Sequence, residues 1–292
     1  MRVSVNGTSL FVDVEGAGLV PDGITMRERP TLVLLHGGPG HDHSIFRPEY
    51  GQLTDVAQLV YVDLRGNGRS QDSDPATWNF DQWGDDVRAL CDVLGIERPI
   101  VLGWSFGGAV AMSYAARHPG HPAKLILQST VARWDVERIV EGFRVEAGEE
   151  AAMAAKAFLS EGTPETFEAF GRLCAPAYSP EPSFPSPAMI EAMSRMVHNP
   201  ALTMSFMSGA RFDLRPGLAA VRCPTLVVAG ARDPITPPAS ATEIMAALPA
   251  AAQARLEVFD DSGHFVPVTE GERFFSLVRS FVGEGDRGPS AG

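Results

Sequence analysis

IVLGWSFGGAVA, residues 100–111, is an apolar run that stops at a serine with one glycine two places before it and another two places after. The run reads as a buried strand and the small residues that follow as the start of a helix. G-x-S-x-G between a strand and a helix is a nucleophile elbow. In so tight a turn, side chains at Gly103 and Gly107 would collide with neighbouring backbone. In return the Ser105 hydroxyl is held out at the carboxyl end of the strand. The positive end of the following helix favours negative charge there, and the backbone N–H of Phe106 becomes a donor for an oxyanion. The plainer interpretation is a glycine-rich turn with an incidental serine. Gly108 and Ala109, two more small residues for close helix–sheet packing, weigh against it, and so do the partners found further along the chain.

Working outward, RVSVNG (2–7) and SLFVDVEG (9–16) alternate apolar and polar residues and join at Asn6-Gly7, a hairpin signal. TLVLLHG (31–37) and QLVYVDLRG (58–66) are continuous apolar runs of strands buried on both faces. Between Asn79 and Gly95, Phe80, Trp83, Val87, Leu90 and Leu94 recur at helical spacing, with Asn79 as cap and Gly95 as stop. The helix after Ser105 ends at Pro119-Gly120. KLILQS, TLVVAG and ARLEVFD complete the strands, and 271–283 form a last amphipathic helix. Strands alternating with helices imply a parallel sheet covered on both faces. Residues 131–216 break the rhythm, with helical pattern, a proline-rich hinge (APAYSPEPSFPSP) and no strand. They are expected to form a helical cap over one end of the sheet. The expected division is 1–130 and 217–283 as core, 131–216 as cap and 284–292 as a disordered tail.

A serine needs a base, and in this architecture the chain order is serine, acid, histidine. His264, in DDSGHF just beyond the last strand, is the histidine that follows a sheet strand in that order. His36 and His41 precede the serine, His118 and His121 flank the end of its helix, and His198 lies in the insertion. Asp233, in TLVVAGARDPITP, leaves the end of a strand and is the expected acid, although the proline after it also fits a helix N-cap. Asp135 is a rival, and Asp260 and Asp261 more naturally shape the histidine loop. A second oxyanion donor is expected from HGGPG (36–40), where Gly38 can offer its N–H at close range. A phosphate cradle fails there, because the loop is neither G-x-G-x-x-G nor a P-loop and no lysine follows.

Together, HGGPG, DLRGNGRS (63–70), GWSFGG, GARDPITP and SGHF resemble, in order, the motifs of the α/β-hydrolase fold family, over nearly the whole chain. HGGPG followed by D-x-R-G-x-G-x-S is more narrowly similar to the proline iminopeptidases and their relatives, which release an N-terminal residue from short peptides. The resemblance implies a mostly parallel eight-stranded sheet flanked by helices, with the cap inserted between late strands. It implies Ser105 as nucleophile, His264 as base, Asp233 as orienting acid, and backbone donors at Gly38 and Phe106. It gives Asp63 and Arg65 a structural role near the carboxyl edge of the sheet. One departure concerns the substrate's amine: those peptidases place a glutamate after a cap tryptophan, whereas here aspartate follows Trp134. Glu137, Glu141 and Glu146 lie on a helix and are read first as a solvated face; if peptides are cleaved, one of them is expected to receive the amine.

The leading expectation is a cofactor-free, metal-free serine hydrolase of a small amide or N-terminal peptide bond. The same machinery on an ester or lactone is the alternative, and a non-catalytic binding protein on this scaffold is a third. Dehalogenase and epoxide hydrolase chemistry would need a carboxylate where Ser105 stands. The 292 residues are 45% hydrophobic and 21% charged, ordinary for a soluble domain, and the net charge of −12 argues against nucleic acid and anionic membranes. Three widely spaced cysteines form no CxxC pair, so neither a zinc site nor a disulfide framework is indicated. The N-terminus has no signal-peptide core, and a cytoplasmic location is expected.

Overall fold

The computed structural model describes residues 1–209 and 211–284. An eight-stranded sheet of order β1-β2-β6-β5-β7-β8-β9-β10 forms its centre. The strands are β1 (Arg2–Val5), β2 (Thr8–Glu15), β5 (Thr31–Leu35), β6 (Gln58–Asp63), β7 (Ile100–Trp104), β8 (Lys124–Gln128), β9 (Thr225–Gly230) and β10 (Arg255–Phe259). β1–β2 and β2–β6 pair antiparallel, and every other neighbour is parallel. A separate ribbon, β3 (Leu19–Asp22) with β4 (Thr25–Glu28), was not foreseen. It is mostly exposed and buries no apolar face, so it leaves no alternation to read.

Parallel strands must be sandwiched, and the side chains show it. Val33, Leu35, Val101, Leu125 and Leu127 pack on one face, with Trp83, Val87 and Leu90 of α1 (Phe80–Leu94) and Val110 of α2 (Phe106–Arg117). Leu32, Leu34, Ile100, Leu102 and Ile126 pack on the other, with Phe274, Val278 and Phe281 of the C-terminal helix. Asn79 caps α1 through the Gln82 amide, and Gly95 ends it with φ +69°.

Between β8 and β9 lie α3 (Val136–Ala147), α4 (Glu149–Glu161), α5 (Pro164–Leu173), α6 (Pro187–Ser194), α7 (Pro200–Gly209) and α8 (Arg215–Leu218). Among the described residues this segment holds no strand, only a single bridge, Arg133 to Asp213, that ties its two ends. It has an apolar centre of its own, including Phe143, Phe158 and Phe170. It is fastened to the loop after β5, where the Asn199 amide donates to Gly40 O at 2.7 Å and the Thr203 hydroxyl to Pro39 O. After β9 come α9 (Pro238–Ala247), α10 (Val266–Thr269) and α11 (Gly271–Gly283). Of the expected tail, residues 285–292 lie outside the described residues, and Glu284 caps α11.

β5 is flanked by β6 on one side and β7 on the other, so the chain changes direction across the sheet at β5/β7. Crevices form outside the carboxyl ends of strands at such switch points. Register brings Leu35 beside Gly103, so the loop after β5 emerges next to Ser105. Phe259 beside Gly230 does the same for the loops after β9 and β10.

The elbow is held by contact between backbones. A Cβ on Gly107 would lie 2.0 Å from Leu35 O, and one on Gly103 2.3 Å from Gly107 O. A Cβ on Gly120 meets nothing within 4 Å. Gly103→Ala and Gly107→Ala should each lose about 3 kcal/mol or more by chemical denaturation, because backbone has to move. Gly120→Ala should stay within about 0.5 kcal/mol of wild type. Equal stability for all three would show that the helix does not rest on the sheet this closely.

Candidate active site

Ser105 occupies the turn between β7 and α2 with φ 55° and ψ −118°. That conformation is strained for a residue with a side chain, by on the order of 1–3 kcal/mol. Its backbone is clamped from both sides: its amide donates to Gln128 O at 2.9 Å, and its carbonyl accepts from the Thr130 hydroxyl at 2.6 Å. As the residue preceding α2 it makes no side-chain cap bond, which leaves the hydroxyl uncommitted.

The structure brings the expected acid and histidine together. His264 Nδ1 lies 2.8 Å from Asp233 Oδ2, and both side chains are buried. Oδ1 of Asp233 accepts the amides of Ile235 and Thr236, each at 2.9 Å, and Oδ2 also accepts the Thr236 hydroxyl. Burial pushes the Asp233 carboxyl up. The His264 ring and the Thr236 donors outweigh this and hold it below the usual carboxylate value. An ionised carboxylate only accepts, so Nδ1 of His264 is the donor in this pair. The His264 loop is fixed by its own amide on Tyr178 O at 2.7 Å and by Trp104 Nε1, which donates to its carbonyl at 3.2 Å. Asp233 caps no helix; α9 begins at Pro238, and the carboxylate instead organises its own turn.

The alternatives are engaged elsewhere. Asp135 caps α3 and pairs with Arg133 at 2.8 Å, and Asp260 and Asp261 are exposed. His36 bridges Gly37 O and the Leu64 amide, His118 lies on Asp85, and His121 on Tyr114. Asp63 accepts from His43 and from the Arg69 amide, while Arg65 forms a buried pair with Asp86 at 2.7 Å. Both therefore hold loops, as the resemblance implied.

Ser105, His264, Gly38 and Phe106 line one cavity of about 180 Å³. Gly38 has φ +55°, and a Cβ there would collide with the His41 ring. The backbone N–H groups of Gly38 and Phe106 have no acceptor among the described residues. Trp134, Phe158, Phe170 and Phe206 from the helical segment line the same cavity. Among the described residues no Asp, Glu, Lys or Arg does. The conditional amine contacts are therefore not there, and these glutamates form the solvated face. Glu137 is exposed, Glu141 pairs with Arg144, and Glu146 pairs with Arg232 at 3.2 Å. The cause is the helical period of α3, which turns Ile139, Val140 and Phe143 inward and the glutamates away.

Sequence reasoning missed Thr236, Tyr178 and the part played by His41. The threonine three places after an aspartate in a turn was a usable signal for Thr236. Tyr178 sits in the proline-rich hinge and is brought to His264 by tertiary packing alone, with ring centroids 5.4 Å apart. His41 lines the cavity, with its ring 5.1 Å from that of His198.

A parallel sheet wrapped in helices, with a serine on a strained strand–helix turn at its switch point, is the architecture of the α/β hydrolases. The chain belongs to the alpha/beta hydrolase family, whose sequence model matches residues 32–277. It is 30% identical over 290 residues to the AB hydrolase superfamily protein YisY of Bacillus subtilis, spanning 94% of this chain and 95% of that one. It is 27% identical over 288 residues to the proline iminopeptidase PfmaB of Pestalotiopsis fici, spanning 93% and 98%. Among solved structures it resembles a thermophilic esterase from Thermogutta terrifontis, with 28% identity, TM-score 0.71 and coverage of 97% of this chain and 98% of that one.

Burial, reinforced by His198, lowers His41 from the ordinary imidazole value of 6.5 to about 3. Between those limits the unfolded chain binds a proton that the folded one does not. Stability therefore falls as the pH is lowered through that window. His36, His121 and His198 are also lowered, chiefly by burial, and act in the same direction. His41→Gln should lose less stability than wild type between about pH 7 and pH 4.5 in urea titrations. Parallel losses would mean that His41 takes up its proton while folded.

Proposed function

We propose that the protein is a serine hydrolase of small, uncharged, apolar esters or lactones, with α3–α8 acting as a cap over its active site. Ser105 attacks the substrate carbonyl while His264 Nε2 removes the hydroxyl proton, and Asp233 holds the imidazole in the required tautomer. The oxyanion is received by the N–H groups of Gly38 and Phe106, at the positive end of α2. Collapse breaks the C–O bond, and the alcohol leaves with the proton from His264. Water then attacks the acyl-enzyme, giving its proton to His264, and the acid is released as Ser105 regains its own.

The observation that carries the ester reading over the aminopeptidase one is a cavity wall with no carboxylate among the described residues. An ammonium group enters such a site only by losing its water. Unpaired, that costs several kcal/mol, or more than about a hundredfold in discrimination. A neutral acyl group pays no such penalty and gains from burial against Phe158, Phe170 and Phe206. The esterase and the iminopeptidase among the relatives are both compatible with acyl transfer, and the lining of the cavity supports the ester reading.

Ser105→Ala should lower kcat on the order of 10⁴-fold or more with little change in thermal unfolding, and a fluorophosphonate should label wild type at Ser105 alone. Labelling at another serine, or turnover surviving in the alanine variant, would remove the nucleophile assignment.

Small aryl esters should exceed amino-acid anilides with a free amine by at least about a hundredfold in kcat/KM, and acetylating the amine should raise turnover. A preference for the free amine would overturn the ester reading and return the aminopeptidase one.

A further inference from the structure

A second cavity, of about 330 Å³, lies beside the first, and Phe80, Phe206 and Phe212 line both. The wall between them is a layer of mutually packed rings. The Phe80 and Phe212 centroids are 4.6 Å apart, Phe80 and Phe206 5.8 Å, and Phe206 and Phe212 6.2 Å. Phe80 is fixed: it opens α1, is 8% exposed, and packs edge-on against Trp83. Phe206, on α7, and Phe212, just before α8, are only half-buried. Beyond the rings, Trp78, Trp83 and Leu202 continue an apolar floor, and Asn79, Ser205 and Arg211 form a polar margin to the same cavity.

The first cavity is little larger than one that holds a single benzene, about 150 Å³. A longer acyl chain reaching away from Ser105 meets the three rings. We propose that the second cavity is the distal subsite for the apolar tail of the acyl group, closed off by the Phe206 ring, which turns aside for chains too long for the first cavity. The argument has two parts. The two spaces share their wall, and the rings of Phe206 and Phe212 each border both of them, with Phe206 also packed on Trp83, Phe106 and Trp134. The occupant is a linear or aryl-terminated hydrocarbon chain, since the shared wall offers only aromatic surface.

The proposal rests on the ester reading for its view of what fills the first cavity. Its test uses binding, so it does not depend on turnover. The affinity of wild type for 1-alkanols from about four to twelve carbons is measured by calorimetry. Each buried CH₂ adds roughly fourfold in affinity. Wild type should show that rise for short chains, a stall while the ring is displaced, and a renewed rise for longer ones. Phe206→Ala should remove the stall. Ser205→Trp, which fills the second cavity, should abolish the renewed rise, alone and combined with Phe206→Ala. Phe212→Ala gives an independent opening should Phe206→Ala fail to fold. A rise that never resumes in wild type overturns the proposal. So does a profile unchanged by opening the wall, or one unchanged by filling the second cavity. If the binding pattern holds while short esters are not hydrolysed, the ester reading fails and the distal subsite stands.

Discussion

The structure depends on how closely α2 approaches the sheet. With glycine at 103 and 107, backbone touches backbone, and no side chain could be inserted without moving one of the two. That contact sets the position of Ser105, the strain in its φ and ψ, and the direction of the helix N-terminus. It also leaves the Phe106 amide free, because the first amides of a helix have no intrahelical acceptor. A hydrogen bond from the Ser105 amide to Gln128 O on the neighbouring strand, and one from the Thr130 hydroxyl at its exit, then hold the strained residue in place.

The rest of the site arrives from other strands and is rigid for a different reason. Asp233 is surrounded by donors that fill both of its oxygens, so its charge is satisfied without water. His264 is fixed at its amide, its carbonyl and its ring, each by a different element. A buried ion of this kind persists only where every lone pair has a partner, and here the partners also orient the imidazole. Parallel register makes this arrangement available, because neighbouring strands deliver their following loops to the same edge.

The cavity beside Ser105 is lined by the opposite kind of surface. The cavity walls are aromatic and aliphatic, and the charges of the helical segment face outward into surface pairs. Such a wall sorts ligands by shape and by the cost of desolvating charge, not by ionic contact. His41, kept neutral by burial, adds a polar edge without adding charge.

The sequence by itself determined the sheet, the elbow and the order of its partners. Buried parallel strands must be continuous apolar runs, and the backbone contact at 103 and 107 admits only glycine, so these features are written locally. The ribbon at β3–β4 was not legible, because an exposed two-stranded turn buries nothing and so imposes no pattern. Nor was the character of the pocket. Glutamates along α3 could have faced an amine or solvent, and only the burial of Ile139, Val140 and Phe143 on the opposite face turned them away from the cavity. Tyr178, Thr236 and the three shared phenylalanines come from distant parts of the chain, and their meeting is a property of long-range packing that no local spacing encodes. Strand, turn and helix follow from short-range sterics and periodicity; what a cavity accepts follows from which faces of separate helices end up inside, and that only the tertiary structure decided.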